Sequence, residues 1–301
     1  MERRSFIRNT ALALGAVTQF KNRVFKPELQ ALFQLKYAPH LGMFERVAGK
    51  DPIDQLNYMA DQGFRAFEDN NMKKRTVALQ EKMAKTMTDR KIEMGVFVAH
   101  TIFWKEANLA SGDEGLRAQF LQEIQESVAV ARRVNATWMT VVPGHLDLRQ
   151  DMGYQTAHVI ESLKRAAEIL EPHNLVMVLE PLNFINHPGL FLTRSDQAYS
   201  ICKAVDSPSC KILFDIYHQQ ITEGNLIRNI DNSYDEIAYF QIGDNPGRKE
   251  PTTGEINYKN IFKHISEKGY AGILGMEHGN SMEGEKGDLA VIKAYREVDS
   301  F

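Results

Sequence analysis

The chain has 301 residues, 43% of them hydrophobic and 25% charged, and a formal charge of −3. This is ordinary globular composition, and the charge gives no case for nucleic acid as a partner. The two cysteines, Cys202 and Cys210, lack metal-site spacing, so neither a structural disulfide nor a cysteine metal centre is expected.

The first thirty residues stand apart from the rest. Arg3-Arg4-Ser5-Phe6-Ile7-Arg8 precedes a short apolar run, residues 11–17, and residues 1–30 hold six Lys/Arg against two Asp/Glu. A twin-arginine pair before such a run resembles a Tat-type export signal. The run is too short to span a bilayer, and no clean Ala-x-Ala site follows it. The expectation is an export segment over 1–30, one barrel domain over 31–301, and a periplasmic location. The alternative is a cytoplasmic protein whose N-terminal helix covers the barrel bottom with Leu12, Leu14, Val17 and Phe20.

Beyond this segment, strand-like and helix-like patterns alternate. Leu35-Lys36-Tyr37-Ala38 reads as a first strand, and residues 52–61 carry Ile53, Leu56 and Met59 at helical spacing, with Asp51 as N-cap. Phe64-Arg65-Ala66-Phe67 reads as a second strand ending at Glu68-Asp69-Asn70, with helix over about 72–88. The basic trio Lys73-Lys74-Arg75 is a solvated helix start. A third strand covers Met94 to Ala99 and ends at His100; Leu116, Phe120, Ile124 and Val128 then recur every four residues, predicting a helix over about 114–134. Trp138 to Val142 reads as a fourth strand ending near His145, and Val159, Leu163, Ala166 and Leu170 mark the next helix face.

Four further apolar runs each deliver an oxygen-bearing side chain. Residues 176–179 lead into Glu180, 212–214 into Asp215, 238–240 into Gln241, and 273–276 into Glu277. Helix patterns follow near 194–205, 225–235, 258–268 and 287–297. Eight such units without a linker favour a (β/α)8 TIM barrel. No Gly-x-Gly-x-x-Gly follows the first strand, which argues against a dinucleotide fold. In a barrel of this kind the active site lies at the C-terminal strand ends, where these four residues sit together with Glu68, His100, His145, His218 and His278. Two Glu, one Asp and one amide oxygen make a hard ligand set that suits Mg²⁺ or Mn²⁺. A divalent ion would also relieve the repulsion of three crowded carboxylates. His218, three residues after Asp215, is a candidate substrate contact, and the methionines read as core filler.

Residues 179–183, 214–219, 241–248 and 251–258 (Leu-Glu-Pro-Leu-Asn, Phe-Asp-Ile-Tyr-His-Gln, Gln-Ile-Gly-Asp-Asn-Pro-Gly-Arg and Pro-Thr-Thr-Gly-Glu-Ile-Asn-Tyr) resemble the hydroxypyruvate isomerase family. That family belongs to the xylose-isomerase-like sugar isomerases and epimerases. The resemblance is specific over about 175–280 and architectural over 31–174. It implies a metal held by Glu180, Asp215, Gln241 and Glu277, with Glu180 and Glu277 also acting as the acid/base pair. It implies substrate contacts by His218 and Arg248, and Asn183, Glu68 and Asp244 join them as candidates from the same motifs and strand ends. The implied reaction is isomerisation of a small hydroxy-carbonyl compound, such as hydroxypyruvate to tartronate semialdehyde, by proton transfer through an enediolate.

Two stretches depart from the family pattern: the last strand ends Glu277-His278-Gly279-Asn280 rather than in a Glu-Tyr-like pair, and the loop from His100 to Glu106 does not match. Alternatives are a ketose 3-epimerase, which usually carries His where Gln241 stands, a polyol-ketone dehydratase, and a metal-free sugar-binding protein. A zinc-dependent phosphodiester-cleaving barrel would need more histidines than this oxygen-rich set offers. The expected partner is a small-molecule substrate, without nucleic acid or stable membrane insertion; a homo-oligomer is left open.

Overall fold

The computed structural model describes residues 31–301; the expected export segment lies outside them. Eight parallel strands form the centre: β1 (Lys36–Ala38), β2 (Ala66–Phe67), β3 (Glu93–Met94), β4 (Trp138–Val141), β5 (Val176–Leu179), β6 (Cys210–Asp215), β7 (Ile237–Gln241) and β8 (Ile273–Gly275). A ladder in the order β1-β8-β7-β6-β5-β4 carries six of them, and β2 pairs with β3. Two links close the ring. Val98, just past β3, bridges to Thr140 of β4, and the amide of Glu68, just past β2, donates to Pro39 O at 3.1 Å.

The barrel interior is built in layers. Ala38, Ala66, Val96, Val178, Leu213, Tyr239 and Ile273 form one buried cluster, with Trp138 packed against it. Side chains alternate along a strand, so the residue two positions on shares its face. That step leads from this apolar layer to His40, Glu68, Val98, Thr140, Glu180, Asp215, Gln241 and Gly275. The apolar layer fills the barrel, and the polar one stands on it at the C-terminal end.

The longer helices close the outside with one apolar face each. In the helix Glu114–Val134, Asp113 caps the first turn by accepting from Leu116 N at 2.9 Å, and Phe120, Ile124 and Val128 are buried as the four-residue spacing predicts. Burial of each such side chain stabilises by roughly 1.5–3 kcal/mol. Cys202 and Cys210 are free and buried. Among the described residues, no helix is long and apolar enough to cross a membrane.

Several elements differ from the sequence reading: the second strand is only Ala66–Phe67, and the helix expected over 72–88 divides into a short turn at Met72–Lys74 and a helix at Val77–Arg90. Regular pairing of the third strand is confined to Glu93–Met94, although Gly95 N still donates to Phe67 O and Val96 O accepts from Asp69 N. The helix Ile216–Thr222 was not expected, because its apolar spacing is irregular and its start is set by one carboxylate.

Candidate active site

That carboxylate belongs to Asp215. It ends β6 and caps the following helix, with Oδ1 accepting from Tyr217 N at 2.8 Å and His218 N at 3.3 Å. Capping fixes the first turn and swings His218 back over the barrel mouth, where its Nε2 lies 3.5 Å from Asp215 Oδ2 and 3.8 Å from Glu180 Oε1. Glu180, Asp215 and His218 place one ligand-type atom each within 4.8 Å of one another.

Glu277 joins this group through Arg248. One guanidinium nitrogen, Nη2, donates to Glu277 Oε2 at 2.6 Å and to Asp215 Oδ2 at 3.0 Å, and the guanidinium stacks 5.0 Å from the Tyr217 ring centre. Asn70, at the end of β2, holds the other carboxylate oxygen of Glu277 at 2.8 Å. Gln241 turns its amide nitrogen to Glu68, 3.4 Å from each carboxylate oxygen. Its Oε1 is buried without a hydrogen-bond partner. Glu68 also accepts from Tyr239 OH at 3.0 Å.

Burial governs the electrostatics. It pushes the Glu180 carboxyl well above the usual range, and the Glu277 and Asp215 charges push it further. Burial likewise raises Glu68, with Glu277 adding and the Tyr239 and Gln241 hydrogen bonds opposing. Asp215 is raised by burial, although Arg248 and the capped amides pull it back. Burial lowers the pKa of Arg248, but Glu277, Asp215 and Glu180 outweigh it and keep the guanidinium charged. His218 is held neutral, first by burial and then by Arg248. Glu180 and Asp215 side by side, Glu277 joined to Asp215 through Arg248, and the orphaned amide oxygen of Gln241 offer hard donors of the kind that suits a divalent cation.

The site opens into a cavity of about 710 Å³ lined by Glu180, Glu277, His218 and Arg248 on one side and by Lys73, Thr101 and Trp104 on the other. Trp104 stacks on His187 with ring centres 5.2 Å apart, so the loop after β3 forms the cavity wall against the loop after β5. A chamber of about 230 Å³ lies next to Glu277 and reaches Glu68.

Several expected positions have other roles. Asp244 was expected to touch substrate, but its carboxylate is spent on the amides of Asn245, Ile256, Thr253 and Gly254, at 2.8–3.1 Å. It knits the loop that carries Arg248. Arg248 does not pair with Asp244 or Glu255 side chains; it reaches Asp215 and Glu277. Asn183 points to His218 and Asn186 rather than into open cavity. His145 binds the neighbouring Leu146 carbonyl, and His278 packs on Tyr295 behind the strand end. Tyr239, Thr140 and Trp104 were not among the expected site residues, and Asn70 was placed at a strand end without a role. Thr140 stands two residues past the inward-facing Trp138, a strand period that could have found it; Trp104 lies in a loop and carries no local signal.

A closed parallel barrel with buried carboxylates at its C-terminal mouth defines an α/β-barrel protein with an acid-lined site. The family model of the xylose isomerase-like TIM barrel matches residues 56–296, and the chain belongs to that family. It is 39% identical over 140 residues to the hydroxypyruvate isomerase of Escherichia coli, spanning 46% of this chain and 54% of that one. It is 31% identical over 192 residues to the 2-oxo-tetronate isomerase of Cupriavidus necator, spanning 62% and 74%. An AP endonuclease of family 2 from Brucella melitensis superposes with a TM-score of 0.74 at 24% identity, over 84% of this chain and 96% of that one; that likeness concerns the fold alone.

Proposed function

We propose that this protein is an isomerase of small hydroxy-keto acids that moves a carbonyl between adjacent carbons and depends on a divalent cation, Mg²⁺ or Mn²⁺. The observation that carries the reading is that Arg248 joins Glu277 to Asp215 while Asp215 meets Glu180 and His218, with Glu180, Glu277, Arg248 and His218 lining one cavity. The relatives named as isomerases of hydroxypyruvate and 2-oxo-tetronate support it.

Glu180, Asp215, Gln241 and Glu277 would hold the cation, which would supply positive charge to the enediolate oxygens. Glu180 and Glu277 approach from β5 and β8, on different sides of the mouth. One of the pair, as carboxylate, takes the proton from the carbon beside the carbonyl; the other, as carboxylic acid, delivers a proton to the former carbonyl carbon, and proton exchange with solvent resets the pair. A hydroxyl proton shifts between the two oxygens, so the sum is an isomerisation. Arg248 keeps a buried Nε without a partner, and its charge suits a carboxylate end of the substrate. The two loops bearing Trp104 and His187 form one wall of the cavity. The cavity volume falls within the range of small-molecule pockets, roughly 300–1,000 Å³, and leaves room for keto acids of three or four carbons.

The test is conversion of hydroxypyruvate and of 2-oxo-tetronate, followed by proton NMR with added Mn²⁺ removed before acquisition, beside a chelated sample. Conversion by the metal-loaded protein and none after chelation is expected. No conversion of either acid by protein shown to contain metal would overturn the reading.

A further inference from the structure

We infer that Asn183 is a positioning residue that fixes His218 as the tautomer with its proton on Nε2, so that His218 faces the reaction as a neutral donor. Nothing in the assigned roles requires this; it follows from a chain of buried hydrogen bonds. For its catalytic consequence it rests on the isomerase reading, while the tautomer itself stands on geometry alone.

Asn183 is fully buried, and its amide orientation is set by main chain. Its Oδ1 accepts from Ile185 N at 3.1 Å and Asn186 N at 2.8 Å, so its other end is the NH₂ group. That group donates to Asn186 Oδ1 at 3.0 Å and to His218 Nδ1 at 2.6 Å. Asn186 is held in turn by the Tyr217 hydroxyl at 3.0 Å. The main-chain N–H of Asn183 also donates to His218 Nδ1, at 3.2 Å. A ring nitrogen met by two donors must present its lone pair, so the single proton of the neutral imidazole sits on Nε2. An imidazolium is disfavoured on the same ground, because its Nδ1–H would face both donors.

Nε2 is buried, has no hydrogen-bond partner and belongs to a cavity-lining ring. A protonated nitrogen cannot coordinate a cation, so His218 is no metal ligand despite its place beside Glu180 and Asp215. The cation site is then made of oxygen alone. His218 instead offers an N–H to a substrate oxygen as charge develops there.

The test uses the full-length protein labelled with ¹⁵N-histidine, with His218 assigned by comparison with His218→Gln. The expected spectrum shows a bare Nδ1 and a protonated Nε2, unchanged on adding Mg²⁺. Asn183→Asp keeps the size but replaces the closer, side-chain donor by an acceptor that competes with the remaining main-chain donor, so a population protonated on Nδ1 should appear. In that variant kcat should fall by about a hundredfold while KM moves far less. A purely structural asparagine would leave the tautomer in place. A proton on Nδ1 in the wild-type protein, or loss of the Nε2 proton on adding Mg²⁺, would overturn the inference, and so would Asn183→Asp leaving both tautomer and kcat unchanged. If the variant does not fold, the wild-type spectrum alone decides. If wild-type protein turns over no keto acid, the functional reading fails, and the nitrogen assignment still decides the tautomer.

Discussion

The Glu68 carboxylate fills the space that a side chain on Gly275 would need: a Cβ built there collides with Glu68 Oε2. Gly275 pairs with Gln241 and Ala38 in the ladder, so neither backbone has freedom to retreat. Gly275→Ala should therefore lose about 1–3 kcal/mol of stability, read as a lower urea midpoint with an unchanged slope. Glu68→Ala in the same chain should recover part of it, because neighbouring substitutions are not additive. A Gly275→Ala protein as stable as its parent would show that Glu68 rests elsewhere in solution.

Glu277 accepts from Asn70 and Arg248, and glutamine in its place keeps an oxygen but loses a proton acceptor. Glu277→Gln should lower kcat by roughly 10²–10⁴-fold and change metal affinity much less. Turnover and metal titration on one preparation check this. Activity near wild type would remove Glu277 from the acid/base pair.

Arg248 has both a pairing role, toward Asp215 and Glu277, and an unused buried donor. Lysine keeps the charge but not the fork. Arg248→Lys should raise KM for a keto acid roughly ten- to a hundredfold and for a neutral ketose less. Equal effects on both substrates would argue that Arg248 only organises the carboxylates.

His100 is buried, accepts from Val142 N at 3.2 Å and meets Phe120 edge-on. Burial lowers its pKa from 6.5 to about 4. Between those values the unfolded chain binds a proton that the folded chain does not. The contribution of His100 is thus fully present above the unfolded pKa and is lost as pH falls toward the folded one. The slope is at most about 1.4 kcal/mol per pH unit. Raised carboxyls such as Glu180 act in the opposite sense, so the comparison is with His100→Gln, which shares them. Urea unfolding from pH 7 down to pH 4 should find wild type losing stability more steeply than the variant. Parallel curves would mean that His100 titrates alike in both states.

The N-terminal pair Arg3-Arg4 yields a cellular prediction. We propose that it directs export, and Arg3→Lys/Arg4→Lys, which keeps the charge, should hold the protein in the cytoplasm. Fractionation of both forms checks this, and wild type retained in the cytoplasm at full length would remove the export reading.

The apolar runs and helix spacings were legible because a parallel strand and an amphipathic helix impose their periods on the residues themselves. Val159, Leu163, Ala166 and Leu170 announce their buried face, and all four are buried. Polar residues directly after apolar runs were legible for the same reason, since a strand that leaves a packed core carries its next inward side chain to the mouth. Glu180, Asp215 and Gln241 were found this way. Partners were not legible. That Arg248 bridges Asp215 and Glu277, that Asp244 spends its carboxylate on its own loop, and that Asn183 holds His218 depend on distances between segments far apart in the chain. Closure of the barrel brings β5, β6, β7 and β8 side by side and the loop after β7 back over them. Sequence supplied the chemical groups and the face each would take. Only the tertiary structure decided which groups meet, because hydrogen bonds and charge pairs act over a few ångströms and local sequence carries no record of that proximity.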